Sequence, residues 1–256
     1  MAEGADAPGG SWLPLESNPE VLNPFCKRLG LEDGWGFCDV FGLDPELLCM
    51  VPQPCAALCL LFPSEKISRP RREDLRSRRA KMDSPEPGLF FLQQHDGIGN
   101  ACGTIAAVHA ISNGAVSGMF SLKDGSPLSQ FLAKAAPLSA PERGTVLANS
   151  KDLQEMSDTT AAAGETEGAG TDDANDSHFI TFLPFKGKLY ELDGRTFGED
   201  GVAFPVVHCD TTPDTWVMDA ARLPHAPSTS QYNRARLHLE VVLPFTCRVF
   251  FAIRCM

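Results

Sequence analysis

The feature that most constrains the fold is a hairpin signal in the second half of the chain, HFITFLPFKGKLYELDG at 178–194. Two apolar, aromatic-rich runs flank Lys186–Gly187, which has the composition of a two-residue turn. If that turn is the loop, Phe185 pairs with Lys188 and the two runs form neighbouring antiparallel strands. The sequence therefore predicts a sheet with at least one antiparallel pair at this place.

This register also predicts a pair of polar side chains. It places His178 opposite Arg195 and Asp193 diagonal to His178 on the same face, ~7–8 Å apart between backbones. An aspartate there accepts a hydrogen bond from the imidazole and fixes its tautomer and orientation. A register that differs by one residue would put the two on opposite faces. The residues alone leave both registers open.

One cysteine lies between a turn and an apolar helix pattern, in GNACGTIAAVHAI at 99–111. The apolar positions Ile105, Val108 and Ile111 share one helical face, so Cys102 falls in the first turn of the helix. The free N–H groups and the positive end of the helix dipole favour a thiolate there. A buried structural cysteine is the alternative, and the pattern alone leaves it open.

The other histidines are weaker candidates. His109 lies two helical turns beyond Cys102, ~10 Å away, and is interpreted as a packed helix histidine. His95 falls in a loop from which it could approach the thiol as an alternative base. The run VHCD at 207–210 is interpreted as the end of a strand, because adjacent residues on an extended chain do not converge.

Composition excludes several classes of protein. Hydrophobic residues make up 43% of the 256 residues, with no apolar run of membrane-spanning length and no secretory signal pattern. A net charge of -11 disfavours general nucleic-acid binding and favours a partner with a basic surface. The nine cysteines lie mostly in apolar stretches without paired C-x-x-C motifs, so we expect reduced thiols and no metal or other cofactor. A cytoplasmic protein is expected, with a nuclear fraction left open.

Capping and apolar patterns predict further elements. A helix is expected after the cap Asn18, with Pro19 at its first position and Gly30 at its end. Strands are expected in FCDVFGL (37–43), CAALCLLF (55–62) and GLFFLQQ (88–94), and a short helix in DPELLCMV (44–51).

Three segments have the composition of surface or mobile chain. Residues 1–11 are small and flexible in composition and are expected to be disordered. The basic run at 69–79 is interpreted as a solvated surface, with a docking patch as the alternative. Residues 157–177 hold no large apolar side chain, so we expect a mobile loop there.

At these residues the chain resembles the ubiquitin carboxyl-terminal hydrolases, specifically their short single-domain members. Four segments carry the resemblance in the same order: WLPLESNPEVLNPFCKRLGL, DVFGLDPELLCMVPQP, NACGTIAAVHAISN and HFITFLPFKGKLYELDGR. The similarity covers roughly residues 12–63, 89–113, 128–149 and 178–208.

The resemblance implies an α+β, papain-like fold: a central, mostly antiparallel sheet flanked by helices on both sides. It implies a cysteine-type deubiquitinase that cleaves ester, amide or peptide bonds at the C-terminal glycine of ubiquitin, without a cofactor. Cys102 would be the nucleophile, His178 the general base and then acid, and Asp193 the residue that orients it. The domain would span 12–219, with 157–177 as a crossover loop that screens substrates by size.

The resemblance also implies contacts with ubiquitin, the expected partner of a monomeric enzyme. They fall on Pro14, Leu15 and Glu16, and further on Asp39 and Asn100. Acidic residues in this set would suit the basic tail of ubiquitin.

The chain departs from the family pattern before the cysteine. The family's oxyanion-stabilising glutamine lies six residues before the cysteine, where this chain has Asp96. The nearest glutamine is Gln94, so His95–Asp96 reads as an insertion of two residues. Gln94 is expected to remain the oxyanion donor, together with the backbone N–H of Cys102; a carboxylate in its place would oppose catalysis.

The chain also departs from the family after about Asp219. Residues 220–256 form a divergent segment in which a strand that completes the sheet is left open, since Pro244 interrupts its apolar run. These departures motivate one alternative, a ubiquitin-binding protein with weak turnover. A second alternative keeps the hydrolase but takes as substrate a ubiquitin-like modifier with a similar tail.

Overall fold

The fold is organised around one six-stranded sheet with the order β1-β6-β2-β3-β4-β5. The computed structural model describes residues 11–63, 75, 86–164 and 177–223, and the backbone of 238–244. The strands are β1 (Trp35–Val40), β2 (Leu58–Pro63), β3 (Ser177–Phe185), β4 (Lys188–Leu192), β5 (Val206–Asp210) and β6 (His238–Pro244). Every neighbouring pair is antiparallel, which confirms the predicted α+β sheet.

Seven α-helices in the described residues cover the sheet. They are α1 (Pro19–Leu29), α2 (Pro45–Leu48), α3 (Cys102–Val116), α4 (Pro127–Ala135), α5 (Ala140–Ala148), α6 (Lys151–Ala161) and α7 (Trp216–Ala221). As predicted, α1 is capped by the Asn18 side chain, has Pro19 at its start and ends at Gly30 in the left-handed conformation. None of the helices among these residues is long and apolar enough to cross a bilayer.

Alternation along β3 divides the core between the two faces of the sheet. Phe179 and Leu183 point into the larger apolar cluster, which holds α1, α3, α4, α5 and α6. Ile180 and Phe182 point to the other face, where α2 and α7 contribute Leu48 and Trp216. Helices therefore pack on both faces, as expected.

The predicted hairpin is confirmed in register and in turn. Phe185 pairs with Lys188, and the ladder runs back to Thr181 opposite Leu192. Lys186 and Gly187 both have positive φ, 46° and 79°, the geometry of a type I′ turn. This turn sets which residues of β3 and β4 share a face.

The divergent C-terminal segment supplies a central strand. β6 lies between β1 and β2 and is paired on both sides, with Trp35 opposite Pro244 at one end. Pro244 is the last residue of the strand, where a missing N–H interrupts the ladder least. The strand that was left open in 220–256 is thus present, and it leaves neither β1 nor β2 without a neighbour on that side.

The strand predicted at 88–94 is wrong, because side chains of helices take the place of a neighbouring strand. Asn113 of α3 accepts from Phe90 N and donates to Phe90 O, both at 2.8 Å. His109 Nε2 accepts from Leu92 N at 3.1 Å, and Arg143 donates to Phe91 O at 2.8 Å. The structure assigns no strand to this segment.

The predicted start of the mobile loop at 157 is also wrong. Helix α6 continues to Ala161, and Ser157 and Thr160 are buried. The Ser157 hydroxyl is 2.7 Å from that of Thr104 in α3, and Thr160 donates to Met156 O at 2.8 Å. Small side chains here allow close helix packing rather than disorder. Three of the predicted surface segments lie outside the described residues, wholly or in part. They are the remainder of the expected loop (165–176), residues 1–10 of the expected disordered start, and the basic run apart from Leu75.

Candidate active site

Cys102 is the first residue of α3, as the turn-then-helix pattern predicted. Its side chain lies against the start of β3 and is only 9% exposed. The next residue, Gly103, leaves room for close packing: a Cβ there would lie 3.0 Å from Leu15 Cβ and 3.3 Å from the Phe179 ring. The thiol is therefore held at the free N–H groups of a helix start by two neighbouring segments.

The surroundings of Cys102 favour its thiolate. Burial raises the pKa of the thiol, but interaction with the His178 ring, a backbone hydrogen bond from Phe179 and the positive charge of Arg195 together outweigh it. The net pKa lies below the ordinary value for cysteine. The alternative of an inert core thiol predicts the opposite direction, as is seen at Cys55, whose pKa burial raises well above the ordinary value.

His178 and Asp193 form the pair that the hairpin register predicted. His178 Nε2 donates to Asp193 Oδ1 at 2.7 Å, and both side chains are buried. Asp193 Oδ1 also accepts from Arg195 N, and Oδ2 accepts from the Thr196 hydroxyl, each at 2.9 Å. Sequence reasoning missed Thr196, because a hydroxyl three residues after an aspartate is a common turn feature without a distinctive signal.

The pair holds His178 in its protonated form. Burial alone lowers the pKa of His178, but the charge and hydrogen bond of Asp193, with a smaller contribution from Cys102, raise it from 6.5 to about 9. The other ring nitrogen, Nδ1, has no hydrogen bond of good geometry to the described residues. It is the ring atom left to exchange a proton with the Cys102 sulfur.

Gln94 rather than Asp96 lies inside the protein beside this centre. Gln94 is 4% exposed, its backbone N donates to Gly194 O at 2.9 Å, and its Nε2 donates to Gly99 O at 2.7 Å. Asp96 is exposed and begins a 3₁₀ turn (Asp96–Ile98). The two extra residues are thus taken up by an outward turn.

His95 has a local role in that turn. Its Nδ1 accepts from Gly97 N at 3.1 Å and caps the 3₁₀ turn. The described contacts do not bring it to Cys102, so they give no support to His95 as the base.

The segment with the expected ubiquitin contacts lies next to the thiol. Trp12 N donates to Ile98 O at 3.0 Å, and Leu13 N donates to Asp158 Oδ1 of α6 at 2.8 Å. Glu16 is half-buried, and a Cβ on Gly164 would lie 2.7 Å from its Oε2. The segment therefore bridges the loop before Cys102 and the end of α6.

The expected contact residues differ in what they expose. Leu15 is 5% exposed and belongs to the core, whereas Pro14 is half-buried, and so is Asn100 in the turn before α3. Asp39 is exposed on β1, three strands away from β3, and the described contacts do not join it to the thiol. Two residues further on, Phe41 is 72% exposed and lies beyond the end of β1, although the predicted strand at 37–43 included it.

Two further histidines have structural partners. His109 is buried and stacked on Phe91, and burial lowers its pKa to about 3, which confirms the prediction of a packed helix histidine. His208 lies within β5, as predicted for 207–210, and its Nε2 is 2.9 Å from Glu191 Oε2. That second buried pair was missed, although Glu191 lies in β4 only two residues before Asp193.

Comparison with known proteins places this geometry in a family. A sequence model described as ubiquitin carboxyl-terminal hydrolase, family 1, matches residues 12–224. A ubiquitin carboxyl-terminal hydrolase of Aplysia californica is 41% identical over 213 residues, which cover 83% of this chain and 92% of the relative. The human ubiquitin carboxyl-terminal hydrolase isozyme L1 is 37% identical over 214 residues, covering 82% of this chain and 88% of the relative.

A solved structure is similar in fold. The crystal structure of the Trichinella spiralis UCH37 catalytic domain bound to ubiquitin vinyl methyl ester has a TM-score of 0.64 and 21% identity. The similarity covers 94% of this chain and 99% of that one. With the family match over 12–224, these findings show that the chain belongs to the ubiquitin carboxyl-terminal hydrolase family 1 of cysteine peptidases.

Proposed function

We propose that this protein hydrolyses amide, ester and peptide bonds at the C-terminal glycine of ubiquitin, with Cys102 as the nucleophile. The observation that carries the proposal is the opposite perturbation of two facing groups: the pKa of Cys102 is lowered and that of His178 is raised to about 9. Both shifts favour a thiolate beside an imidazolium, the reactive form of a thiol hydrolase.

The first half of the reaction forms a thioester. The Cys102 sulfur attacks the carbonyl carbon of the terminal glycine, and the carbonyl electron pair moves onto the oxygen. As the intermediate collapses, His178 gives its proton to the departing nitrogen or oxygen, and the bond to the leaving group breaks. Asp193 keeps the ring oriented through the 2.7 Å hydrogen bond to Nε2.

Gln94 and the backbone N–H of Cys102 stabilise the negative oxygen of the intermediate. A glutamine amide has two hydrogens, and only one of them is used in the bond to Gly99 O. The second is available to the substrate, and the bond to Gly99 fixes the amide in place beforehand. The backbone N–H of Cys102 belongs to the first turn of α3, where such groups have no partner within the helix.

The second half of the reaction releases ubiquitin. Once His178 has lost its proton it accepts one from a water molecule, whose oxygen attacks the thioester carbonyl. The carbon–sulfur bond then breaks, and ubiquitin leaves as the carboxylic acid, which gives its proton to solvent and becomes the carboxylate. Cys102 returns to the thiolate beside a protonated His178. No cofactor enters this cycle.

Charge and exposure support ubiquitin as the partner. Glu16 and Asp39 are acidic, and the chain carries a net charge of -11, which suits the basic tail of ubiquitin. The exposed Phe41 adds apolar surface next to Asp39. Residues 165–176 join Gly164, which adjoins Glu16, to β3, which carries His178. We propose that this connection limits the size of the adduct that reaches Cys102.

Two features that favoured a weakly active binder now weigh against it: Asp96 is exposed while Gln94 is buried, and β6 completes the sheet. A ubiquitin-like modifier with a similar tail stays the second candidate substrate. A monomer in the cytoplasm, with a nuclear fraction left open, completes the proposal.

The test is hydrolysis of a fluorogenic amide at the C-terminus of ubiquitin, beside the same amide on a ubiquitin-like modifier. We expect turnover on the ubiquitin substrate that is abolished by Cys102→Ala, with far lower kcat/KM on the modifier. Higher kcat/KM on the modifier would reassign the substrate. Binding of ubiquitin without turnover by the wild-type protein would contradict the enzymatic role.

A further inference from the structure

Arg195 connects two parts of the site that are far apart in sequence. Its backbone N donates to Oδ1 of Asp193, the residue directly after β4, at 2.9 Å. Its guanidinium Nη2 donates to Gly99 O at 2.7 Å, 96 positions earlier in the chain. The residue therefore joins the hairpin that carries His178 and Asp193 to the turn that leads into Cys102.

Arg195 and Gln94 donate hydrogen bonds to the same backbone carbonyl, that of Gly99. Gly99 O accepts from Gln94 Nε2 at 2.7 Å as well as from the guanidinium. Gly99 has φ +58° in the turn that ends at the first residue of α3, so its peptide orientation depends on the contacts that it makes. The two donors approach one acceptor, so loss of either leaves the carbonyl with a single side-chain hydrogen bond to hold its orientation.

Arg195 also acts on the thiol through its charge. Its guanidinium is one of the groups that hold the pKa of Cys102 below the ordinary value. The side chain is largely exposed, so water screens much of this effect. The geometric contact with Gly99 is therefore the larger part of its influence, and the charge is the smaller part.

We infer that Arg195 is a positioning residue that fastens the Gly99 turn to the hairpin, and so holds the Gln94 amide and the Cys102 sulfur in their working positions. The inference rests on the proposed hydrolysis. Arg195 does not touch the reacting atoms; it fixes the carbonyl that orients the oxyanion donor.

Two substitutions separate the contact from the charge. Arg195→Gln removes both the charge and the fork of donors, whereas Arg195→Lys keeps a positive charge but offers a single ammonium. We expect Arg195→Gln to lower kcat about ten- to a hundredfold with little change in KM, the usual effect of losing a hydrogen bond from a charged donor. Arg195→Lys should recover part of this loss.

The second readout needs no ubiquitin. The rate at which iodoacetamide alkylates Cys102 is followed against pH, and its midpoint reports the thiol's ionisation. We expect the midpoint to move to higher pH in Arg195→Gln and to stay near the wild-type value in Arg195→Lys. Lys188→Gln, an equal loss of charge at the far end of β4, is the matched control and should leave both readouts unchanged.

The outcomes differ for the inference and for the function it rests on. Suppose that iodoacetamide alkylates the wild-type protein with a low pH midpoint but the protein does not cleave the ubiquitin amide. This result would refute the proposed function, while the claim that the surroundings of Cys102 favour its thiolate would stand. Arg195→Gln with wild-type kcat and wild-type midpoint would overturn the inference. A loss of thermal stability without either kinetic change would also overturn it, because Arg195 would then be a structural residue only.

Discussion

Replacement of Asp193 by asparagine removes a buried negative charge while the shape of the side chain is kept. Asp193 Oδ1 accepts from His178 and from Arg195 N, and Oδ2 accepts from Thr196. An asparagine whose oxygen takes the Oδ1 position keeps the first two hydrogen bonds, and its NH₂ group can donate to the Thr196 hydroxyl. The substitution therefore changes the electrostatics of the pair more than its geometry.

The size of the effect follows from the pKa of His178. Its rise from 6.5 to about 9 corresponds to about 3 kcal/mol in favour of the imidazolium. Asp193 is the main favourable contributor, and burial acts in the opposite direction. Without the carboxylate the pKa of His178 should fall to its ordinary range or below, and at neutral pH the protonated ring becomes scarce. We expect kcat/KM to fall about a hundredfold there, the rate equivalent of that energy.

The direction of the pH dependence is fixed by the sign of the shift. The folded protein holds the His178 proton more tightly than the unfolded chain, so this contribution to stability is complete below pH 6.5 and is lost as the pH rises through about 9. In Asp193→Asn the alkaline limb of kcat/KM should move to lower pH. The unfolding free energy should also lose its decline between these two pH values.

The assay is a pH profile of kcat/KM with the ubiquitin amide, together with urea unfolding at several pH values. Glu191→Gln is the matched control, because it makes the same carboxylate-to-amide change two residues earlier, beside a different histidine, His208. An alkaline limb that stays in place in Asp193→Asn would refute the assignment of the His178 proton to this pair.

Three further predictions concern the segment before Cys102 and two helix residues that contact it, His109 and Gly144. In steady-state kinetics, Gln94→Ala should lower kcat at least a hundredfold, whereas Asp96→Asn should leave it nearly unchanged. Equal losses in the two variants would contradict the assignment of Gln94 as the oxyanion donor. His109 stays neutral in the folded protein because burial lowers its pKa to about 3, so its contribution to stability falls as the pH drops from 6.5 toward 3. His109→Gln should therefore flatten the pH dependence of the urea unfolding free energy in this range. An unchanged slope would contradict the assignment of this pH dependence to His109. A Cβ on Gly144 would lie 2.0 Å from Gln93 O, so Gly144→Ala should displace this segment and lower both the melting temperature and kcat; wild-type values for both would refute the packing argument.

Local signals in the sequence predicted the parts of the site that local physics determines. The turn at Lys186–Gly187 set the register of the hairpin, and the register alone brought His178 beside Asp193. The turn and apolar pattern placed Cys102 at a helix start. Both depend on interactions within a short stretch of chain.

The features that the sequence did not predict depend on contacts between distant segments. The segment 88–94 has the composition of a strand, but its backbone groups are satisfied by Asn113 and His109 of α3. Residues 157–161 have the composition of a loop, but Ser157 packs against Thr104. The contact of Arg195 with Gly99 likewise joins residues 96 positions apart. Composition carries no information on such partners.

The central claim is that Cys102 is the thiolate that attacks the C-terminus of ubiquitin. The most direct test is reaction of the full-length protein with ubiquitin vinyl methyl ester, followed by peptide mapping of the adduct. The account predicts one ubiquitin per chain, attached to Cys102, and loss of the adduct in His178→Ala. An adduct on another cysteine such as the exposed Cys49, or an unchanged rate in His178→Ala, would contradict it.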